Sequence, residues 1–308
     1  MVPMFFALSG YLVSGSLERN NLVRFLGLRI LRIVPALAFE IFLCALVLGV
    51  SFTKLPLYEY FVSREFIVYF GNIVGWIHFT LPGVFEGKVI NLQLWTIPYE
   101  LECYAAIAVI SMLGLFRRRS FNLVLVSVLT VGISYLTWDP MAPQNNLNGR
   151  ALVLAFLFGV VIYQYRDKLA FSPSLAVVAT ILSVVLLSRA NYTILAGAPI
   201  AYLTVYIGLQ QFPPIRFGDL SYGVYLFHYP ILRTVNEITG NGIGIIAGFA
   251  IVLVLSAGCA LISWNLIERP LLEQKKAILG PWVDDLNTAV TEAARSTLRF
   301  MRFLPAQS

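Results

Sequence analysis

Residues 244–267 read GIIAGFAIVLVLSAGCALISWNLI and contain no charged side chain. A helix needs about 20 consecutive apolar residues to cross the hydrocarbon core of a bilayer, and this stretch is long enough. The composition of the whole 308-residue chain agrees, because 58% of its residues are hydrophobic and only 12% are charged. A soluble domain carries about twice that share of charged residues. The sequence therefore excludes a soluble globular enzyme and predicts an all-α, polytopic transmembrane helical bundle.

Nine other apolar segments precede this one, and the connections between them are short. The ten segments are 2–16, 34–52, 65–82, 93–115, 122–138, 151–165, 174–188, 195–211, 218–235 and 244–267. We predict one transmembrane domain over residues 1–272, followed by a cytoplasmic tail over 273–308. Helical periodicity in the tail, with Leu286 and Val290 on one face and Arg295 and Arg299 on another, is typical of an amphipathic helix on the membrane surface or of a solvated helix.

The distribution of Lys and Arg indicates how many of these segments cross the membrane. If all ten cross, the basic loop 17–33 lies on the side opposite to the other basic segments, against the positive-inside rule. If segment 65–82 does not cross, 16 of the 22 Lys and Arg residues face the cytoplasm and 5 face the outside. Gly71, Asn72 and Pro82 interrupt that segment, and a re-entrant segment is tolerated where it lines a protein cavity. We therefore predict about nine spans, with the N-terminus outside and the C-terminus in the cytoplasm.

Arg29 and Arg32 are three residues apart, so a helix presents them on one face. Pro35 follows at a position that suits the first turn of a helix. Two guanidinium groups at the cytoplasmic mouth are suited to grip a phosphate or pyrophosphate. The alternative is that they only anchor the span at the membrane surface.

Glu40 and Glu100 lie within or beside predicted spans, where a charged side chain is costly. Glu100 and Tyr104 are four residues apart and face the same way, whereas Glu102 points elsewhere. Glu100 could orient a base, bind a hydroxyl or pair with an arginine, or it could be an interfacial carboxylate that faces water. Glu40 is a further acidic residue within a span, without a surrounding pattern that indicates a role.

Ser221, Tyr225 and His228 recur at helical spacing and form one polar stripe in segment 218–235. Pro230 cannot donate to the carbonyl of Leu226, so a kink is expected there. The stripe is expected to face a cavity. His228 could act as a general base near neutral pH or be a structural histidine with satisfied hydrogen bonds.

Six motifs that occur in order along the chain resemble the acyltransferase 3 family of membrane acyltransferases. They are Phe5–Leu12 (FFALSGYL), Arg29–Pro35 (RILRIVP), Leu94–Tyr104 (LWTIPYELECY), Phe156–Gly159, Ser221–Pro230 and Glu268–Pro270. Each motif is weak by itself. Together they cover about residues 1–272 and are specific.

The resemblance implies transfer of an acyl group, often acetyl, from cytoplasmic acyl-CoA to a hydroxyl of a carbohydrate or surface polysaccharide. It implies that Arg29 and Arg32 meet the phosphates of the CoA donor. We predict His228 and Glu100 as catalytic residues, and a cavity lined by Ser9, Trp95, Tyr104, Ser221 and Tyr225. The acyl-CoA is a substrate, and we expect no permanently bound cofactor and no metal. The expected partners are the lipid bilayer of a bacterial cytoplasmic (inner) membrane, the acyl-CoA and the carbohydrate acceptor, with no nucleic acid.

The chain departs from the family pattern at its start. Family members carry a preceding helix with an Arg-x10-His motif, and its histidine is the expected catalytic residue. The sequence as written is thus expected to be a truncated acyltransferase that would have ten spans with this helix, or an inactive homologue. A transporter or flippase of a lipid-linked sugar is the main alternative, because intramembrane polar residues suit it equally well. A non-catalytic protein that binds polysaccharide machinery is the third possibility.

Overall fold

The computed structural model describes residues 2–138, 149–211, 218–240, 242–280, 282–290 and 292. Its α-helices are α1 (Val2–Arg19), α2 (Leu22–Leu43), α3 (Gly49–Phe52), α4 (Leu57–Val62), α5 (Arg64–Tyr69), α6 (Ile97–Met112), α7 (Arg119–Leu136), α8 (Gly149–Gln164), α9 (Pro173–Leu187), α10 (Gly197–Gly208), α11 (Ser221–Thr239), α12 (Ile245–Ser263), α13 (Arg269–Glu273) and α14 (Lys275–Ile278). Residues 282–290 are also helical. Over these ranges there is no β-strand, and the only β-type pairing is one bridge between Thr53 and Val84. The prediction of an all-α fold is confirmed.

Among the described residues, three continuous helices are long and apolar enough to cross a membrane. They are Leu22–Phe52, Arg119–Leu136 and Ile245–Glu273, with 31, 18 and 29 residues. Most of the apolar surface of the last two is exposed, because only 17% of each most hydrophobic window is buried. Such continuous apolar surface is unfavourable in water and is compatible with lipid. The structure therefore supports an integral membrane protein.

Nine of the ten predicted apolar segments contain a helix of 12 to 22 residues. The exception is segment 65–82, where α5 has six residues and a 3₁₀ turn follows over Phe70–Val74. The chain then turns at Gly75, whose φ of 84° is left-handed, and residues 75–82 are not helical. A six-residue helix is about 9 Å long, much shorter than a bilayer core. This segment does not form a spanning helix, while the total number of crossings stays a prediction.

The prediction that Pro35 lies in the first turn of a helix is wrong. Helix α2 begins at Leu22, so Pro35 and both arginines before it lie within the helix. The apolar run that starts at residue 34 indicates where the helix enters the membrane, not where the helix begins. Helix α2 begins further toward the N-terminus, because arginine is a good helix former.

The described residues fall into two compact units. The first consists of those within Met1–Leu26, Tyr99–Phe212 and Pro281–Ser308, and the second of those within Gly27–Pro98 and Pro213–Gly280. In the first unit, α1 packs against α8 and α10, and α8 also contacts α7. Glycines permit the closest approach: a Cβ at Gly10 would lie 2.0 Å from the carbonyl oxygen of Phe156, and one at Gly159 would lie 2.1 Å from that of Ala7. Small residues at these two positions thus allow the backbones of α1 and α8 to approach each other closely.

In the second unit, α11 packs against α12, and Gly223 lies against Ala260. Between α2 and α3 the helix widens to a π-helix over Cys44–Leu48, where the hydroxyl of Tyr60 donates to the carbonyl of Ala45 at 2.7 Å. The non-helical stretch after residue 75 is buried at several positions and ends in a 3₁₀ turn, Leu92–Thr96. Buried irregular backbone of this kind is tolerated in a membrane protein where protein surrounds it.

Candidate functional site

The two arginines of α2 lie three residues apart, and the structure gives Arg32 an acidic partner. Its guanidinium forms an ion pair with Asp219, whose side chain is half exposed. Arg29 is partly buried. An exposed or half-exposed pair contributes little stability, and the contact to Asp219 uses one terminal nitrogen of a group with five N–H donors. Arg32 therefore keeps donors with which it could meet a phosphate.

Asp219 precedes the first turn of α11 and accepts two further hydrogen bonds there. The hydroxyl of Ser221 donates to Asp219 Oδ1 at 2.5 Å, and the backbone N–H of Ser221 donates at 3.2 Å. An aspartate at the start of a helix stabilises its unpaired N–H groups. Sequence reasoning missed Asp219, although an acidic residue just before a helix is a recognisable capping signal.

A cavity lies at the same end of α11 and α12. Its volume is about 690 Å³. Residues from the start of α11 and from the end of α12 onward line it: Gly218, Leu261, Trp264, Asn265, Arg269, Leu272, Glu273 and Lys275. Arg269 donates to Glu273 at 2.8 Å, so Lys275 leaves the lining with a net positive charge. The mixture of an indole, two basic groups and apolar walls is suited to a nucleotide or another phosphate-bearing ligand.

Tyr225 and His228 lie further along α11, with their ring centroids 5.7 Å apart. The hydroxyl of Tyr225 donates to the backbone carbonyl of Gln93 at 2.7 Å and is also 2.7 Å from the hydroxyl of Thr96. Of the predicted polar stripe, Tyr225 and His228 are thus neighbours, whereas the hydroxyl of Ser221 turns to Asp219.

The imidazole of His228 is held in one orientation. Its Nδ1 lies 2.6 Å from the backbone carbonyl of Tyr225. A carbonyl oxygen only accepts hydrogen bonds, so Nδ1 carries the hydrogen in the neutral ring and Nε2 carries the lone pair. This is the tautomer that a general base needs if Nε2 faces the substrate.

Pro230 lies inside α11 and has no N–H for the carbonyl of Leu226. The side chain of Gln93 takes its place, because Nε2 of Gln93 donates to that carbonyl at 2.7 Å. Gln93 and Leu226 are both buried. The sequence predicted the unpaired carbonyl but not the residue that satisfies it.

In the first unit, Tyr104 links two predicted site residues. Its hydroxyl donates to Glu100 Oε1 at 2.6 Å and lies 3.4 Å from the hydroxyl of Ser9. Glu100 and Tyr104 are each 6% exposed. The predicted common face of Glu100 and Tyr104 is confirmed, and Glu102 points away from it to form an ion pair with Arg150.

Three other residues of the second unit, Trp95, His78 and Arg233, also carry side-chain nitrogens that can form hydrogen bonds. Trp95 lies partly exposed in the 3₁₀ turn before α6. His78 lies in the non-helical stretch, and its Nε2 is buried with no hydrogen-bond partner among the described residues. Arg233 of α11 likewise has a buried Nε that lacks a hydrogen-bond partner among the described residues. Sequence reasoning assigned no role to Arg233.

The predicted site residues are thus distributed over the two units. Ser9, Glu100 and Tyr104 belong to the first unit. The others belong to the second: Arg29, Arg32, Trp95, Ser221, Tyr225 and His228. Their catalytic and binding roles stay predictions. Within the described residues no group of three or more His, Cys, Asp or Glu side chains could hold a metal ion.

Comparison with known proteins gives a family. A family model described as an acyltransferase domain matches residues 1–265. The chain belongs to the acyltransferase 3 family. It is a membrane-type O-acyltransferase, and the resemblance inferred from the six motifs is confirmed.

Several relatives of this acyltransferase are named for their activity or role. The O-acetyl transferase of Shigella phage Sf6 is 27% identical, over 91% of this chain and 86% of the relative. Nodulation protein 10 of Rhizobium leguminosarum bv. viciae is 25% identical, over 91% and 83%. The O-acetyltransferase OatA of Staphylococcus aureus is 24% identical, over 88% of this chain and 52% of the relative. No solved structure matches the chain.

Proposed function

We propose that this O-acyltransferase moves an acetyl group from acetyl-CoA to a hydroxyl group of a carbohydrate in a bacterial surface polysaccharide. The names of two relatives, both O-acetyltransferases, support acetyl as the group and oxygen as the acceptor atom. The enzyme would lie in the cytoplasmic (inner) membrane, with its C-terminus in the cytoplasm.

The observation that carries the proposal is the arrangement along α11 and α12. A net-basic cavity of about 690 Å³ lies at the start of α11, beside the residue that pairs with Arg32. His228 lies seven residues after Ser221, which corresponds to a rise of about 10 Å along the helix. The phosphates of a CoA donor would be held at the end of the unit, while its flexible arm brings the thioester inward to the histidine.

The ion pair between Arg32 and Asp219 also supports the proposed sidedness. If all ten apolar segments crossed, Arg32 and Asp219 would lie on opposite sides of the membrane. Two side chains cannot pair across a hydrocarbon core about 30 Å thick. The pair therefore supports six crossings between them rather than seven, and segment 65–82 is the one without a long helix. This supports our proposal of nine spans, in which Arg32 and the cavity lie at the same, cytoplasmic end.

The proposal assigns the role of proton acceptor to His228, because the carbonyl of Tyr225 holds its Nδ1 and leaves Nε2 as the lone-pair nitrogen. Its Nε2 would take the proton of the acceptor hydroxyl as the hydroxyl oxygen bonds to the thioester carbonyl carbon. The carbon–sulfur bond then breaks, and the thiolate of CoA leaves with the electron pair. The imidazolium returns its proton to this sulfur, so the histidine ends unchanged.

The donor site can be tested by measuring the binding of acetyl-CoA to the purified protein in lipid nanodiscs. Hydrogen bonds to charged groups contribute about 1.5–3 kcal/mol each. Replacing both arginines, Arg29→Ala with Arg32→Ala, should therefore raise the Kd at least about tenfold. Arg119→Ala is the matched control, because Arg119 forms an exposed ion pair with Asp167 in the first unit and should not affect Kd.

An unchanged Kd in the double variant would refute the donor site. A flippase would give another result: it would move a lipid-linked sugar between leaflets without consuming acetyl-CoA. One batch of purified protein distinguishes the two functions when part of it is placed in nanodiscs for the binding assay and part in sealed vesicles for the transport assay.

A further inference from the structure

Glu40 is the most completely buried acidic residue of the second unit, at 0% exposure. One of its oxygens, Oε1, accepts from the thiol of Cys44 at 3.2 Å, from the side-chain amide of Asn91, and from Nε2 of Gln93 at 3.5 Å. The other oxygen, Oε2, is buried and has no hydrogen-bond partner among the described residues. All the donors around this carboxyl group therefore converge on a single oxygen.

The cluster around Glu40 is neutral apart from the carboxyl group itself. No Lys, Arg or His of the described residues forms an ion pair with Glu40, although a buried charge is costly unless it is paired. Oδ1 of Asn91 and Oε1 of Gln93 are also buried and lack a donor within that part of the chain. A side-chain amide at position 40 could accept at one atom and donate to these oxygens at the other. The hydrogen-bonding pattern is therefore compatible with an uncharged group of the same shape at position 40.

Gln93 connects this cluster to α11 through two contacts. Its side chain donates to the carbonyl of Leu226 at 2.7 Å, and its backbone carbonyl accepts from the hydroxyl of Tyr225 at 2.7 Å. The carbonyl of Tyr225 in turn fixes Nδ1 of His228 at 2.6 Å. Three successive contacts thus lead from the Glu40 carboxyl to the imidazole.

We propose that Glu40 is a positioning residue: with Asn91 and Gln93 it fixes the part of α11 that carries His228, and so the place of the His228 imidazole in the site. The effect of Glu40 on catalysis rests on the proposed function, in which His228 accepts the proton of the acceptor hydroxyl. The coupling between Glu40 and His228 is itself a property of the second unit and can be measured without turnover.

The first measurement is the rate at which diethyl pyrocarbonate modifies each histidine, followed by peptide mass spectrometry. The chain has two histidines, so His78 serves as the internal reference. Glu40→Ala should change the modification rate of His228 at least about threefold while that of His78 stays constant, because only His228 is reached through Gln93. Glu40→Gln should restore the wild-type rate.

The matched control is Gln164→Ala in the first unit. Like Gln93, Gln164 is a buried glutamine whose Nε2 donates to a backbone carbonyl, that of Phe116, at 2.6 Å. This variant should lower thermal stability and leave the modification rates of both histidines unchanged. Equal increases at His78 and His228 in Glu40→Ala would mean a general loosening of the unit and would overturn the proposal, as would an unchanged His228.

The second measurement separates kcat from KM in acetyl transfer. A displacement of about 1 Å in a catalytic group can lower the rate about 100-fold, so Glu40→Ala should lower kcat by about 10- to 100-fold with an unchanged KM for acetyl-CoA. Loss of activity in Glu40→Gln would show that the charge is needed and would overturn the proposal. If the wild-type protein transfers no acetyl group, the proposed function fails, and the modification rates alone decide the positioning role.

Discussion

The contact between Gln93 and Leu226 predicts that two distant substitutions depend on each other. Pro230 leaves the carbonyl of Leu226 without its helical donor, and the side chain of Gln93 supplies a substitute at 2.7 Å. Gln93→Ala removes that donor but keeps the backbone carbonyl that Tyr225 uses. An unsatisfied buried carbonyl costs about 1–3 kcal/mol, so Gln93→Ala alone should destabilise the protein by that amount.

Pro230→Ala restores an N–H that can donate to Leu226 in the ordinary helical pattern. In this background the carbonyl has a second donor, so Gln93→Ala should cost much less, below about 1 kcal/mol. The four proteins of the cycle then give a coupling energy of about 1–2 kcal/mol between positions that are 137 residues apart in the sequence.

The assay is thermal unfolding of the four purified proteins in one detergent, followed by size-exclusion chromatography of the material that survives heating. Gln93→Ala should lower the midpoint of thermal unfolding more than the other variants, and the midpoint of the double variant should be close to that of Pro230→Ala. Strict additivity of the two effects would refute the reasoning, because independent sites add and residues that share one acceptor do not.

Three further outcomes follow from the structure. Gly10→Ala should prevent stable packing of α1 on α8, since its Cβ would lie 2.0 Å from a backbone oxygen. Gly132→Ala is the control and should be neutral or slightly stabilising, because there is open space around Gly132. Expression and monodispersity of the two variants test both expectations. Tyr104→Phe should destabilise the first unit by about 1–3 kcal/mol, because Glu100 is buried and loses a donor at 2.6 Å. Equal midpoints of thermal unfolding for the variant and the wild type would contradict this expectation. Arg233→Gln should raise the KM for an acceptor that carries a phosphate or carboxylate and not for a neutral one, because the buried Nε of Arg233 has no partner among the described residues and an anion could accept from it. An equal effect on both acceptors would exclude that role.

Helix positions were the most predictable part of the fold from the sequence. Apolar runs long enough to cross a bilayer leave little choice, because backbone groups in lipid must be satisfied within the segment. Nine of the ten runs indeed hold a helix, and the tenth, 65–82, was recognisable by its glycines, its asparagine and its proline. Helix ends were less predictable. Helix α2 starts at Leu22, twelve residues before the apolar run 34–52, because the charged residues that precede this run lie outside the apolar segment but still continue the helix.

The candidate site was predictable where it depends on spacing within one helix. Glu100 and Tyr104 are four residues apart and interact as expected, and Tyr225 and His228 are three apart and have neighbouring rings. Periodicity of 3.6 residues determines such pairs directly.

Contacts between elements were not predictable in this way. Asp219 pairs with Arg32 from 187 residues away, and Gln93 reaches Leu226 from a stretch without regular structure. No local pattern fixes the path of such a stretch. Glu40 was noted only as an acidic residue in a span, because two of its three partners, Asn91 and Gln93, lie about 50 residues further along the chain.

The most direct test of acetyl transfer is to follow release of the CoA thiol by the protein as its cell makes it, reconstituted in vesicles with acetyl-CoA and lipid-linked carbohydrate from that cell. We expect thiol release that depends on the acceptor, one acetyl ester on the carbohydrate for each thiol released, and loss of both signals in His228→Gln. Thiol release that is absent, or that is independent of the carbohydrate, would contradict acetyl transfer to a sugar hydroxyl. Transfer at the wild-type rate in His228→Gln would contradict the role of this histidine as the base.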